Sequence, residues 1–133
     1  MEEKKLLQQI AVLAQKRYNG LNEIENVTNQ LQDALHYNDV VTIRMLIRMR
    51  QQTMDEIDHF DRQRKELMEQ LTPEQREELK HGEPQHFAES GAGTLVQKIA
   101  EIQQKSQALL KRLIAQDERV NRKLAGDKSY YNQ

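Results

Sequence analysis

Apolar residues recur at steps of three and four over three long stretches of this chain, the spacing that lines one face of an α-helix. Gly20 lies inside the first stretch and costs about 1 kcal/mol relative to alanine in a helix, so we expect a bend or a close helix contact there. The pattern predicts one helix over about residues 3–37. Its apolar positions are Leu6, Ile10, Leu13, Tyr18, Leu21, Ile24, Val27, Leu31 and Leu35.

A second long helix is predicted over about residues 39–71. Asn38 and Asp39 interrupt the first pattern, and either side chain can accept from the free amides of a new first turn. Because the connection is short, the first two helices should form an antiparallel hairpin. The apolar positions of the second helix are Val40, Ile43, Leu46, Ile47, Met54, Ile57, Phe60, Leu67 and Leu71.

The segment after the second helix combines a helix-start signature with a stretch that has no periodicity. Thr72–Gln75 offers a hydroxyl at the N-cap, a proline in the first turn and a glutamine three residues after the hydroxyl. We expect a short helix over 73–80 and then a mobile loop over 81–93, where glycine is frequent. Thr94 and Gln97 repeat the capping pattern and predict the start of another helix.

The third long helix is predicted over about residues 95–125. Gln116 stands where the next apolar residue is due, and residues 127–133 form a short tail whose Tyr130 and Tyr131 either pack back or stay free. The sequence therefore predicts an all-α single domain: an elongated bundle of three long helices, with a short helix and a mobile loop between helices two and three. The third helix carries Leu95, Ile99, Ile102, Ser106, Leu109, Leu113, Val120 and Leu124 on its stripe.

Composition agrees with a narrow bundle. A length of 133 residues suits one domain. Hydrophobic residues make up 37% and charged residues 31% of the chain, so much of it must face water, as in helices that each bury a single stripe. With two prolines and five glycines, the chain lacks the frequent turn signals of a β architecture.

Charge and hydropathy narrow the expected partners and the expected location. The formal net charge is −1, which gives no global attraction to nucleic acid or to an anionic membrane. The chain contains no cysteine, and it has no apolar run long enough to cross a bilayer or to act as a signal-peptide core. We expect a cytoplasmic protein without a membrane span.

Catalytic, cofactor and metal chemistry is not expected from the residue pattern. The histidines lack the pairing four residues apart that a helical zinc site uses, although a metal held by His81, His86 and Glu83 is an alternative to a solvated loop. Gly91 and Gly93 do not belong to a nucleotide-binding loop, because the lysine and hydroxyl residue that such a loop requires are missing. The chain is predicted to be no enzyme and to bind no cofactor. Its four histidines are His36, His59, His81 and His86.

Two groups of residues on the second helix each have two interpretations. Arg44, Arg48 and Arg50 either contact phosphates or belong to a charged face between helices, and the acidic residues that follow favour the second interpretation. The methionines either fill an irregular core or form an adaptable binding face. These methionines are Met45, Met49, Met54 and Met68.

The third helix carries more apolar surface than its main stripe supplies. Val96, Leu110 and Ile114 lie at or near the edge of that stripe and broaden it. The extra surface either completes the bundle or receives an amphipathic partner helix.

One arrangement in the first two helices resembles a known family. Leu31-Gln-Asp-Ala-Leu35 is followed by Asp39, then by Leu46-Ile47, Arg50, Met54 and Ile57. In these residues, and in the layout of nearly the whole chain, the sequence is similar to the helical chaperones of flagellar type III export, the FlgN/FliT group.

The resemblance implies a cytoplasmic chaperone that consumes no ATP and keeps a hook-associated or filament-cap subunit soluble before export. It also implies that the C-terminal helix contacts an amphipathic segment of this client; the alternative is that the same residues form the intramolecular core. The candidate partner-binding residues are Ile99, Ile102, Leu109, Leu110, Leu113 and Ile114.

A structural coiled-coil adaptor is the second functional hypothesis. Such a protein would use the same apolar stripes to self-associate or to join a permanent complex. A homodimer is compatible with both hypotheses, so the sequence leaves the oligomeric state open.

Overall fold

The computed structural model describes residues 2–126, without the side chains of residues 125 and 126. This part of the chain is all-helical, as the periodicity predicts, and contains four helices. The predicted tail, 127–133, lies outside the described residues, and so do the alternatives for Tyr130 and Tyr131. The helices are α1 (Glu2–His36), α2 (Val40–Met68), α3 (Pro73–His81) and α4 (Ala92–Gly126).

The first helix is the central element of the bundle. It packs along both α2 and α4, whereas α2 and α4 approach each other less closely, and α3 packs on α4. The start of α4 lies beside the start of α1, because Val96 clusters with Leu7; the far ends also meet, because Val120 clusters with Leu31. Hence α4 runs parallel to α1, and α2 runs antiparallel to both.

The core consists of three apolar clusters along the bundle. One lies at the amino-terminal end of α1, one in the middle and one at the opposite end, so each long helix buries one stripe over its whole length. The three clusters centre on Leu7, Ile10, Leu79, Val96 and Ile99; on Leu21, Ile24, Ile57, Leu109 and Leu113; and on Val27, Leu31, Ile43, Leu46 and Val120.

Gly20 marks a close approach of α1 to α2. A Cβ atom placed on Gly20 would lie 2.7 Å from Cγ1 of Ile57, closer than carbon atoms tolerate. Of the two expectations for this glycine, the close helix contact is therefore the one observed.

The predicted N-caps of α2 and α3 are both confirmed. Asp39 is the N-cap of α2, and its carboxylate accepts from the amide and the hydroxyl of Thr42 at 3.2 and 2.6 Å. Thr72 and Gln75 form a complete capping box at the start of α3. These caps were predictable because a cap is made by residues within one helical turn.

The second helix ends earlier than the pattern predicts, at Met68 and not near residue 71. Just after this end, Arg76 Nη1 donates to the carbonyl oxygens of Met68 and Leu71 at 3.2 and 2.8 Å. The Met68 carbonyl also accepts from the Leu71 amide at 3.0 Å, a hydrogen bond between residues three apart. Leu71 is nevertheless buried, in the cluster beside the start of α1.

The segment between α3 and α4 is shorter and better anchored than the sequence predicts. The fourth helix begins at Ala92, so Thr94 lies inside its first turn and is not its N-cap. Gly82 ends α3 in the left-handed conformation, with φ of 76°. The buried Glu78 carboxylate then accepts from the backbone amides of Gln85 and His86. These contacts join residues too far apart for a periodicity argument to detect.

Candidate protein-binding groove

The six candidate partner-binding residues on α4 occupy different environments. Four of them are buried in the core, Leu110 is partly buried, and Ile114 is 54% exposed. The alternative role as intramolecular core is thus the one observed for the four buried residues, and only Leu110 and Ile114 are accessible to another molecule. The four core residues are Ile99, Ile102, Leu109 and Leu113.

Leu110 and Ile114 line a groove between α2 and α4, which we call the α2–α4 groove. Its volume is about 400 Å³. Because α2 and α4 are set apart, the groove reaches down to α1 between them. Its apolar lining comes from all three long helices: Leu21 and Ile24 of α1, Met54 and Ile57 of α2, and Leu110, Leu113 and Ile114 of α4.

Two ion pairs cross the bundle within the groove. Arg50 of α2 binds the Asp117 carboxylate of α4, and the Arg50 side chain is only 13% exposed. Toward the other end, Arg17 Nε of α1 lies 2.9 Å from Oδ1 of Asp61 of α2. The first pair joins α2 to α4 and the second joins α1 to α2, so both place charged side chains in the lining of the groove.

Arg64 of α2 joins the ion pair between Arg17 and Asp61, although it does not line the groove itself. Burial lowers the pKa of its guanidinium from the usual value; nearby Asp61 opposes that change and Arg17 adds to it. Arg64 Nη2 lies 3.8 Å from Oδ1 of Asp61. The guanidinium groups of Arg17 and Arg64 thus share the Asp61 carboxylate. At this end of the groove the negative charge of Asp61 is already paired.

The α2 edge of the groove is acidic between Arg50 and Asp61. Asp58 lines the groove, is exposed and makes no ion pair within residues 2–126. Asp55, one turn earlier, accepts from Nε2 of Gln51 at 3.0 Å. An apolar groove with an acidic edge fits an amphipathic helix whose apolar face is bordered by lysine or arginine.

The charged residues that shape the groove were missed as site residues by the sequence analysis, although their spacing contains a signal. Arg17, Arg50, Asp61 and Asp117 each stand four residues after an apolar stripe position, where another apolar residue is expected. A charge at such a position indicates an ion pair between helices. For Arg50, the interpretation as an interhelical charge is the one observed. Gln116, the polar residue on the apolar stripe of α4, also makes a contact between helices. It is buried, and its Nε2 donates to Oδ1 of Asn29 of α1 at 2.6 Å.

A second apolar surface lies outside the groove. We call it the α2 stripe: Val41, Met45 and Met49, which are 80%, 50% and 38% exposed, together with Tyr37, which is 78% exposed. Core filling is therefore observed for two of the methionines, and the role as a binding face stays a prediction for the two that are exposed. Met54 and Met68 pack against core clusters, whereas Met45 and Met49 face outward.

The histidines make local contacts. His86 Nδ1 lies 3.1 Å from the buried Glu78 carboxylate, and His81 Nε2 lies 3.0 Å from Glu77 of the preceding turn. In the part of the chain that the structure describes, no three histidine and acidic side chains are grouped so that they could hold a metal ion. None of the helices within residues 2–126 combines the length and apolarity needed to cross a bilayer.

Comparison of the chain with models of protein families, with curated proteins and with solved structures found no match. The similarity to flagellar export chaperones therefore rests on the residues that suggested it, and it stays a prediction. What the geometry itself defines is a helical protein with an accessible apolar groove.

Proposed function

We propose that this chain is a cytoplasmic export chaperone of the flagellar type. It would hold a hook-associated or filament-cap subunit soluble by binding an amphipathic helix of that subunit in the α2–α4 groove. The observation that carries the proposal is the pair Leu110 and Ile114, which remains accessible beside a groove that reaches to α1. The similarity of the first two helices to the chaperone group supports the choice of client.

The mechanism requires binding energy only. A client helix with apolar residues at spacings of three and four would bury them against Met54, Leu110 and Ile114, and basic residues on its border would meet Asp58. Burying one large aliphatic side chain contributes about 1.5–3 kcal/mol. Two or three such residues would cover the client surface that otherwise aggregates, and the complex would separate without nucleotide hydrolysis.

Point substitutions test the proposal better than deletion of α4, because α4 supplies core residues to all three clusters and the bundle would not fold without it. We expect Ile114→Glu to weaken binding of a purified hook-associated or filament-cap subunit at least tenfold, as measured by isothermal titration calorimetry. Val12→Glu is the matched control, since Val12 is 53% exposed and lies outside the groove. Unchanged affinity after Leu110→Gln together with Ile114→Glu, in a protein that keeps its helical circular dichroism, would rule out the groove.

A structural coiled-coil adaptor is the second candidate. The α2 stripe favours it, because a permanent partner would cover these exposed apolar side chains. Light scattering over a dilution series separates the candidates: an adaptor that self-associates stays dimeric on dilution, and a chaperone awaiting its client is a monomer or a weak dimer.

A further inference from the structure

The α2 stripe is a continuous surface. Val41, Met45 and Met49 follow one another at four-residue steps, so their side chains lie one above the other on the helix. Tyr37 lies in the turn before α2, and its ring meets the His36 ring edge-on at a centroid distance of 5.0 Å. The three α2 residues span about 12 Å along the axis, at about 1.5 Å per residue. This length corresponds to about two turns of a docked helix.

The stripe is separate from the α2–α4 groove. The α2 residues that line the groove include Arg50, Gln51 and Met54, and no residue of the stripe is among them. Ile43 and Leu46, which lie between neighbouring stripe residues in sequence, point into the core and are buried. A molecule on the stripe would therefore leave the groove free.

The edge of the stripe is basic. Arg44 and Arg48 are exposed and alternate with the stripe residues along the helix. Asp39 is the only acidic residue between Tyr37 and Arg50, and its carboxylate is used by the amide and hydroxyl of Thr42. Acidic residues become frequent only after the stripe ends, from Asp55 onward. The stripe therefore offers apolar contacts together with two arginines that make no ion pair within residues 2–126.

A second copy of the chain fits this surface poorly. The exposed area of four side chains amounts to a few hundred Å², well below the roughly 800 Å² that each partner of a stable complex buries. An antiparallel pairing centred on Met45 would also bring Arg44 and Arg48 of both copies together, and such like-charge contacts are costly. A partner of opposite charge avoids this cost.

We propose that the α2 stripe is a second docking site, which binds a short acidic amphipathic helix of a partner protein. Apolar residues of that helix pack on Val41, Met45 and Met49, where the flexible thioethers adapt to their shape. Its glutamate or aspartate residues pair with Arg44 and Arg48. This inference is independent of the client proposed for the groove, because the two surfaces differ in place and in charge.

Two labelled peptides of about 18 residues test the inference with the 133-residue chain. Both form a helix with a leucine face; one has glutamates along the borders of that face and the other has lysines. Fluorescence anisotropy should show that the glutamate peptide binds the wild type and that Met45→Glu weakens this binding at least tenfold. The double variant Arg44→Glu, Arg48→Glu should prefer the lysine peptide. Val12→Glu, at an exposed position outside both surfaces, should bind the glutamate peptide as the wild type does.

Other results would overturn the inference. Equal affinity of the wild type and Met45→Glu for the glutamate peptide would show that the peptide binds elsewhere. Light scattering that reveals a dimer, abolished by Met45→Glu, would assign the stripe to a second copy. Stripe-dependent binding to vesicles with anionic phospholipid, without peptide binding, would assign it to a lipid surface. Because all these measurements leave the groove intact, they do not bear on capture of a client there.

Discussion

At the scale of single residues, two positions determine how closely the helices pack. Gly20 lets α1 and α2 touch, whereas the Arg50–Asp117 pair spans the gap between α2 and α4. The sequence marks both positions, as a glycine inside a helix and as a charge on an apolar stripe. Neither mark alone says which partner residue lies opposite, because helical periodicity contains no information on how helices pair.

Gly20→Ala should destabilise the protein although alanine is the better helix former. The gain of about 1 kcal/mol in helix propensity is opposed by a clash of the new methyl group with Ile57, and overpacking of this kind costs about 1–3 kcal/mol. Urea unfolding followed by circular dichroism measures the net change. In the Ile57→Ala background the clash is absent, so Gly20→Ala should become stabilising; equal effects in the two backgrounds would contradict the close contact.

Removing one member of the ion pair in the groove should also lower stability. Arg50→Ala leaves the Asp117 carboxylate without its partner, and since Asp117 is 38% exposed, solvent limits the loss to about 1–2 kcal/mol. The free energy of unfolding of Arg50→Ala, Asp117→Ala and the double variant gives the coupling. Strict additivity of the two single changes would show that the pair does not stabilise the fold.

At the scale of elements, starts of helices were predictable when the cap is local, as at Asp39 and Thr72, and less so elsewhere. The start of α4 was placed too late because residues far away in sequence anchor the preceding segment: the Glu3 carboxylate accepts from the Ala88 amide, and the Glu3 amide donates to Glu89. Past the end of α2, Arg76 likewise donates to carbonyl oxygens of a segment earlier in the chain. Such contacts exist only once the chain has folded.

The cap of α2 should make stability depend on pH. Hydrogen bonds from the Thr42 side chain and amide hold the pKa of Asp39 below its ordinary value of 3.8. A carboxyl group whose pKa is lower in the folded state stabilises the protein above its unfolded-state pKa, and this contribution is lost as the pH falls through the folded-state pKa. Asp39→Ala should therefore melt at a lower temperature than the wild type at pH 7.

The difference between the melting temperatures of wild type and Asp39→Ala should shrink below pH 3.8. Thermal melts followed by circular dichroism across this pH range provide the measurement. A difference that is independent of pH would mean that the ionised carboxylate is not what stabilises the first turn of α2.

At the scale of the whole molecule, the all-helical class followed from the sequence, whereas the accessible surface did not. The candidate site on α4 contained six residues because all six lie on or beside one stripe, but four of them are buried inside the bundle. Periodicity identifies residues that share a face. Which part of that face stays open depends on how far α2 lies from α4, and helical periodicity contains no information on that distance.

The central claim, that the α2–α4 groove receives the client, can be tested most directly by site-specific photo-crosslinking in motile cells. A photoreactive phenylalanine analogue would replace Ile114, or Val12 as the control of equal exposure. We predict that position 114 crosslinks to a hook-associated or filament-cap subunit and that position 12 does not. Crosslinks from position 114 only to a second copy of the chain, or to no protein while the client still co-purifies, would contradict the account.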